Sequence, residues 1–587
     1  MRTKRLLRAA IAILAGSFVA TGCIDENYDL SNVDTTAELQ IKDLVLPLNI
    51  DEIAMHEIIP IGDTSLIQVI NGEYVLIDSG TYESNEIIVP AIVAKAPRIA
   101  PINSQIKLIG NDKSLKDYPN VPEIPNALSF PLRYNIGKQM SRFAYQEGNV
   151  SDFIVSVDKI FANFDITIDL FVDGLQNSIN SFTMEDLRIQ LPKGLTGEPN
   201  MGIYDPETGV VTIGSKKVEG ITSQFKMSVT EVDIAQAGAI FENHSFSLID
   251  SLGISAGQIL VEEEDAIDLQ SLMQKQVADF RIQFAMEDMC IEALAGVIQY
   301  SIDGLNIADI PITGIPTILS QDSTNLLLEN PQIYIDFSNP LGANFGLYAQ
   351  TGLTLTAMRE GYPDKVCSVE TFKLACPGCI GCQFCLSPID PGTGNYWGKF
   401  INAQHISFPG LSEILSGNGL PEAIGIRLDN PCIPKTHVKG FPIGVNMGRM
   451  KGSYTIFAPL QLKEGSQIVY SGTEKGWWTE DMDNLSIKYL QIDALITNNL
   501  PVDVEITGYP IDREGNKIED VTIEGFHLET GVEGSPLHIE MAGKIEHLDG
   551  ITFVAKAKAL GESLKPEEHI IIKNLKVKVS GSYISEL

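Results

Sequence analysis

Alternation of apolar and polar residues is the dominant pattern of the chain from Leu39 onwards, and it predicts β-strands. Side chains of a strand point alternately to its two faces, so a strand with one buried face has a period of two residues. This alternation, or a concentration of β-branched and aromatic residues, marks the segments 164–172, 210–213, 326–337, 453–460, 487–496 and 573–579. The last segment alternates most cleanly, and its lysines are expected to face water and to protect it as an edge strand.

Helical periodicity is rare in this sequence. Apolar residues at helical spacing between Leu269 and Ala278 predict one short helix, and Leu411–Leu415 predicts a turn or a second one. The 50 glycines and 30 prolines indicate frequent turns. These patterns predict a mostly β protein, with several β-sandwich (immunoglobulin-like) domains in tandem and few short helices.

The length of the chain predicts several domains. About 565 residues follow the leader described below, which is too many for one core, and roughly three to five domains are expected. Asn330-Pro331 and Asn430-Pro431 lie 100 residues apart, about the length of one sandwich domain, and form a weak internal repeat. The predicted ranges are a signal peptide at 1–22, a lipidated tether at 23–38, an N-terminal β domain at 39–145, a β-sandwich domain at 146–265, a β domain with a cysteine-rich insertion at 266–440 and a C-terminal β-sandwich domain at 441–587.

The first residues predict export and a lipid anchor at Cys23. Four basic residues precede an apolar run from Ala9 to Val19, and small residues follow it, as in a secretory signal peptide. The run of about 11 residues is shorter than the roughly 20 that a membrane-spanning helix needs. The string Ala20-Thr21-Gly22-Cys23 resembles a bacterial lipobox, although Ala20 stands where Leu is more usual. The alternative is an ordinary signal peptide with a chance cysteine.

The segment after Cys23 resembles a known group of proteins. An acidic pair, Asp25-Glu26, is followed by Tyr28-Asp29-Leu30-Ser31-Asn32-Val33-Asp34-Thr35-Thr36. This resembles large, mostly uncharacterised, surface-exported lipoproteins of Bacteroidetes. The resemblance covers the N-terminal segment and implies a lipid-anchored position on the outer membrane, exposed at the cell surface; it implies no activity.

The charge of the chain excludes some partners. The 76 Asp and Glu outnumber the 42 Lys and Arg, which gives a net charge of −34. Loss of residues 1–22 removes four basic residues and no acidic ones, so the mature chain is more acidic still. Nucleic acid is not expected as a partner, because its binding depends on neutralisation of phosphates by Lys and Arg. Attachment to the membrane would therefore rest on lipid at Cys23.

A cysteine cluster is the sharpest chemical feature of the sequence. Cysteines recur at spacings of three between Cys376 and Cys385, with one more on each side; the six are Cys367, Cys376, Cys379, Cys382, Cys385 and Cys432. Because an exported chain meets an oxidising environment, and because six cysteines can close three bridges, disulfides are the first interpretation. Cys290 is left over, and its apolar surroundings predict a buried, unreactive thiol.

Metal and redox chemistry are the alternatives at this cluster. Four thiolates can bind zinc or another soft metal, although structural zinc sites usually pair two Cys-x₂-Cys knuckles separated by a dozen or more residues. The spacing partly matches a ferredoxin loop, but only two residues separate Cys382 from the fourth cysteine, and Leu386 replaces the expected proline. A redox-active Cys-x-x-Cys lacks the usual strand-then-helix context. No other cofactor is expected.

Three tryptophans are candidates for stacking on a ligand. Trp477 and Trp478 are adjacent, and neighbours in a strand point to opposite faces, so one ring is expected to be exposed; Trp397 follows the cysteine cluster. The alternative places these rings in the core or at a domain joint. The acidic run after Trp478, residues 480–484, lacks the glycine and the distal glutamate of a calcium loop.

No catalytic set is convincing in this sequence. Gly253-Ile254-Ser255-Ala256-Gly257 matches a nucleophile elbow, but residues 258–261 read as strand where the elbow needs a helix. We therefore expect a lipid-anchored envelope protein, not an enzyme, with an adhesin-like, glycan-binding or structural role and a glycan or protein ligand. The alternative is a metal-binding or redox protein that uses Cys376–Cys385.

Overall fold

The structure is a computed structural model that describes most of the chain. The described residues are 36–47, 52–109, 130–268, 271–272, 275, 277–374, 381–392, 399–476, 485–519, 521, 525–545 and 547–586. Cys23, Cys376, Cys379, Trp397, Trp477 and Trp478, all singled out above, lie outside them, as do residues 480–484.

Strands dominate the described residues. In chain order they are β1 Thr36–Pro47, β2 Glu52–Ala54, β3 Ile67–Ile70, β4 Glu73–Glu83, β5 Ile92–Ala94, β6 Ile102–Ile109, β7 Leu132–Asn135, β8 Gln139–Glu147, β9 Ile154–Phe171, β10 Ser181–Gln190, β11 Leu195–Pro199, β12 Ile203–Asp205, β13 Val210–Glu219, β14 Thr222–Asp233, β15 Ile240–Glu242, β16 Ser245–Val261, β17 Val277–Met286, β18 Met289–Ser301, β19 Ile310–Pro311, β20 Asn325–Leu326, β21 Gln332–Ser338, β22 Ala349–Met358, β23 Lys365–Leu374, β24 Gly381–Ser387, β25 Gln404–Ser407, β26 Gly417–Asn418, β27 Ala423–Pro442, β28 Lys451–Pro459, β29 Gln467–Lys475, β30 Leu485–Asn498, β31 Val502–Asp512, β32 Phe526–Leu528, β33 Ser535–Ile545, β34 Leu548–Ala559 and β35 His569–Glu586.

Helices are few and short. They are α1 Met55–Ile58, α2 Ile234–Ala237, α3 Thr317–Ser320, α4 Pro340–Phe345 and α5 Gly410–Ile414, with 3₁₀ turns at Asp173–Leu175 and Glu263–Asp265. The prediction of a mostly β protein with several sheets and few short helices is confirmed, and the sheets are consistent with tandem β-sandwich domains. None of the described helices is long and apolar enough to cross a membrane.

The strands form four sheets. Sheet A has the order β1-β35-β30-β33, with β2 also paired to β35; sheet B has the order β25-β24-β21-β28-β4-β3; sheet C has the order β26-β20-β29-β34-β31-β32. Sheet D is the largest and takes β5 to β19 together with β22, β23 and β27. Sheet D draws strands from the predicted ranges 39–145, 146–265 and 266–440, and sheet A joins the N-terminal β1 to the C-terminal β35.

The alternating pattern of β9 shows how the core forms. Along its second half, Ile160, Ala162, Phe164, Ile166, Ile168 and Leu170 are buried, and the residues between them are more exposed. The buried side chains belong to one large apolar cluster that extends from Met55 to Leu564, and two smaller clusters line sheets A and B. Burial of one face of each strand is the main driving force for this arrangement.

Two local predictions are wrong. Segment 573–579 lies in β35, which is not an edge strand: β1 and β30 pair with it on either side, and its lysines face outward from the middle of sheet A. Val277 and Ala278 begin β17 instead of ending a helix, whereas the helix predicted at Leu411–Leu415 is present as α5. Alternation identifies a strand, but it does not identify the neighbours of that strand.

Candidate functional site

The described cysteines are spread over several strands. Cys382 and Cys385 lie on β24, Cys367 on β23 and Cys432 on β27. Cys382 packs into the large core, whereas Cys385 belongs to the small cluster on the other face of sheet B. Positions three apart in a strand point to opposite faces, so the two thiols do not meet at one ion. No group of three or more His, Cys, Asp or Glu among the described residues is placed to hold a metal.

The prediction of three disulfides among the six cysteines is wrong. No two of the described cysteines are bonded to each other. Only Cys376 and Cys379 of the six lie outside the described residues. Three bridges among six cysteines would therefore include at least one bridge between two described cysteines. Cys290, which was expected to be buried, is exposed, because its side chain alternates with the buried Met289 and Ile291 of β18.

Cys385, Ser387 and His405 form a polar group on β24 and β25, and no motif in the sequence pointed to it. His405 Nε2 lies 3.1 Å from both the carbonyl and the Oγ of Ser387, and the Cys385 Sγ is 3.8 Å from the same Oγ. Cys385 on β24 and His405 on β25 are paired neighbours in these two parallel strands. Nucleophile-and-base chemistry would need a polarised, accessible hydroxyl or thiol here.

The geometry of this group is that of a packed interior. Ser387 is fully buried, and its hydroxyl donates to the carbonyl of Ile389 at 2.7 Å, so its proton does not face His405. Burial raises the pKa of the Cys385 thiol, which keeps it protonated, and Phe400 stacks on Tyr334 at 4.5 Å in the same cluster. A buried, protonated thiol is a poor nucleophile. This group is therefore part of the packed interior beside sheet B, with the geometry of a structural cluster.

A cleft lies where the β22–β23 hairpin of sheet D approaches the loop that contains β26. It has a volume of about 200 Å³. Its walls combine two cationic side chains, one tyrosine, two prolines and a loop rich in glycine. The lining residues are Ala357, Arg359, Tyr362, Pro363, Lys365, Ile414, Ser416, Gly417, Asn418, Gly419 and Pro421.

Arg359 is a fixed part of the cleft wall. Its Nη2 donates to the carbonyl of Ser320 at 2.9 Å and pairs with the carboxylate of Asp322 at 2.5 Å. The guanidinium carbon lies 4.8 Å from the ring centre of Tyr362, a cation–π distance. The Arg359 side chain is only 16% exposed, whereas Tyr362 is 41% exposed. The arginine therefore holds the tyrosine ring in place while the ring stays open to solvent.

Lys365 closes the other side of the cleft. Its ammonium donates to the carbonyl of Ser416 at 2.5 Å. Gly417 (φ +121°) makes this approach possible, because a Cβ there would lie 2.6 Å from the Lys365 Nζ. At Gly419 (φ +77°) a Cβ would lie 2.9 Å from the carbonyl oxygen of Ser320. The two glycines thus allow the loop to lie against both cationic side chains.

A ring of polar side chains lies on the outer face of sheet A. Tyr489 donates to Gln491 at 2.8 Å, Gln491 donates to Asp493 at 2.7 Å, and the Nδ1 of His538 lies 2.7 Å from Asp493. Glu540 is 3.6 Å from the other nitrogen of His538. The hydrogen bond to Asp493 raises the pKa of His538, and the hydrogen bonds from Gln491 and His538 lower the pKa of Asp493. The hydrogen bond between His538 and Asp493 therefore predicts a local dependence of stability on pH.

Comparisons with known proteins identify no family. No family model matches the chain, and no curated protein matches it. Among solved structures, a "putative secreted protein" from Parabacteroides distasonis, a Bacteroidetes species, is 17% identical with a TM-score of 0.35, over 49% of this chain and 89% of that one. A structure of the cowpea mosaic virus top component is 9% identical with a TM-score of 0.13, over 49% of this chain and 89% of that one. Likenesses this weak show neither a family nor a function.

Proposed function

We propose that this chain is a lipid-anchored protein of the cell envelope, displayed at the surface, that binds a glycan without transforming it. The signal segment and Cys23 support export and anchoring. The observation that carries the binding proposal is the cleft, in which the half-open ring of Tyr362 faces the glycine loop. Exposed aromatic rings stack on the apolar faces of ligands, and neighbouring polar groups fix their orientation.

The location is tested on intact cells. Protease added outside the cells is expected to degrade the protein while a periplasmic control protein survives. Retention of full-length protein after this treatment, with degradation once the envelope is opened, would refute surface display. Replacement of Cys23 with Ser is expected to release the protein from the membrane fraction, since the acidic chain has no other strong attraction to lipid.

Binding is tested with a matched pair of tyrosine variants. The chain from residue 24 onwards would be applied to a glycan array, together with Tyr362→Ala and Tyr470→Ala. The two tyrosines are 41% and 43% exposed, but Tyr470 lies outside the cleft. Loss of binding only in Tyr362→Ala is expected. Equal binding by both variants, or a wild-type protein that binds no glycan, would contradict the proposal.

A further inference from the structure

The charge of the cleft is opposite to that of the chain. The protein carries 76 acidic and 42 basic residues, yet the cleft lining includes Arg359 and Lys365 and no Asp or Glu. A cationic site attracts an anionic ligand more strongly than a neutral ligand of the same shape. The lining therefore points to an anionic ligand.

The two cations have different roles. The charge of Arg359 is compensated by Asp322, and its guanidinium is largely buried against the Ser320 carbonyl and Tyr362. Lys365 has the neutral carbonyl of Ser416 as its hydrogen-bond acceptor, and no described carboxylate lies within ion-pair distance of its ammonium. An ammonium has three donors, so Lys365 keeps capacity for a ligand. The cleft thus offers about one uncompensated positive charge.

The size and walls of the cleft restrict the ligand further. A volume of about 200 Å³ is below the roughly 300–1,000 Å³ of sites for drug-sized molecules, so it admits one small unit. Tyr362, Pro363 and Pro421 provide flat apolar walls, and Asn418 provides an amide that can bond to hydroxyl groups. One pyranose ring with one carboxylate matches this combination of shape and charge.

We propose that the cleft selects a uronic acid unit of a glycan, with the carboxylate bound by Lys365 and the sugar ring held against Tyr362. This inference rests on the glycan-binding function proposed above. Lys365 is then the residue that decides between an acidic and a neutral sugar, and Arg359 positions the tyrosine ring. The preference for the acidic over the neutral sugar is expected to weaken as salt is added, because the proposed ion pair between Lys365 and the sugar carboxylate is exposed to solvent.

The test compares acidic oligosaccharides with their neutral counterparts. Calorimetry would use short oligomers of galacturonate, mannuronate and glucuronate-containing glycans, each beside its carboxyl-reduced form, which keeps the same linkages. At low salt at least one acidic oligomer is expected to bind about tenfold more tightly than its reduced form, which corresponds to about 1.4 kcal/mol. Lys365→Gln should abolish this preference, so that the acidic oligomer and its reduced form bind this variant with equal affinity.

A lysine on the same strand supplies the control. Lys373 lies on β23 outside the cleft, with its ammonium 4.5 Å from the ring of Tyr348. Lys373→Gln removes the same charge and should keep the preference for the acid. Equal affinity for acidic and reduced oligomers would overturn the selectivity and leave glycan binding intact. Binding of neither form, with a negative glycan array, would overturn both proposals.

Discussion

Replacement of Gly417 with Ala tests whether the glycine loop shapes the cleft. The added Cβ would lie 2.6 Å from the Lys365 Nζ, whereas ordinary contacts are about 3.5 Å or more. The ammonium must therefore move by roughly 1 Å and lose its hydrogen bond to the Ser416 carbonyl. The positive φ of +121° adds backbone strain, which costs of order 1–3 kcal/mol for a residue with a Cβ.

Gly361→Ala separates strain from the displacement of Lys365. Gly361 has a positive φ of +81° in the β22–β23 hairpin, and a Cβ there meets nothing within 4 Å. Urea unfolding is expected to show a loss of roughly 1–3 kcal/mol in both variants. Only Gly417→Ala should weaken the binding of an acidic oligosaccharide, by about tenfold. Unchanged affinity in Gly417→Ala, or the same loss in Gly361→Ala, would refute the role assigned to the loop.

Three further predictions concern stability and thiol reactivity. The contribution of His538 to stability should be fully present below its usual pKa of about 6.5 and should disappear as the pH rises through its raised pKa in the folded state. The contribution of Asp493 to stability should disappear as the pH falls through its lowered pKa in the folded state. Melting temperatures of wild type and His538→Gln should therefore differ most between about pH 4 and 6.5, and a constant difference from pH 4 to 9 would contradict this. Gly452→Ala should destabilise the protein by roughly 1–3 kcal/mol in urea unfolding through overpacking, since its Cβ would lie 2.2 Å from a buried tyrosine ring on β4; wild-type stability would show that the ring moves freely. N-ethylmaleimide should modify the exposed Cys290 in the native protein and Cys385 only after unfolding, as read by peptide mass; early labelling of Cys385 would contradict its burial.

The sequence predicted individual strands better than it predicted their partners. The segments 164–172, 210–213, 453–460 and 487–496 fall within or largely within β9, β13, β28 and β30, because a period of two residues is a local property. The position of β35 in the middle of sheet A was missed. Its neighbour β1 comes from the other end of the chain, and no local pattern encodes that pairing.

The cysteine cluster shows a limit of spacing arguments. Close spacing in sequence suggested one shared site, but an extended strand separates residues three apart onto opposite faces. The string Gly381-Cys382-Gln383-Phe384-Cys385-Leu386-Ser387 is β24, and both of its faces are covered. Its apolar residues, which are typical of a buried strand, were the signal for this arrangement.

The sequence by itself determined the mostly β class of the protein and its acidic charge, since these depend on composition and short patterns, and it predicts a leader that ends before Cys23. The cleft, in contrast, is formed only by the tertiary structure. Arg359 and Lys365 flank one hairpin, and the Ser416 carbonyl that binds Lys365 lies 51 residues further along the chain. Contacts of this kind form only when separate strands pack together, because the free energy of burying their apolar faces, and not the local sequence, brings such residues into contact.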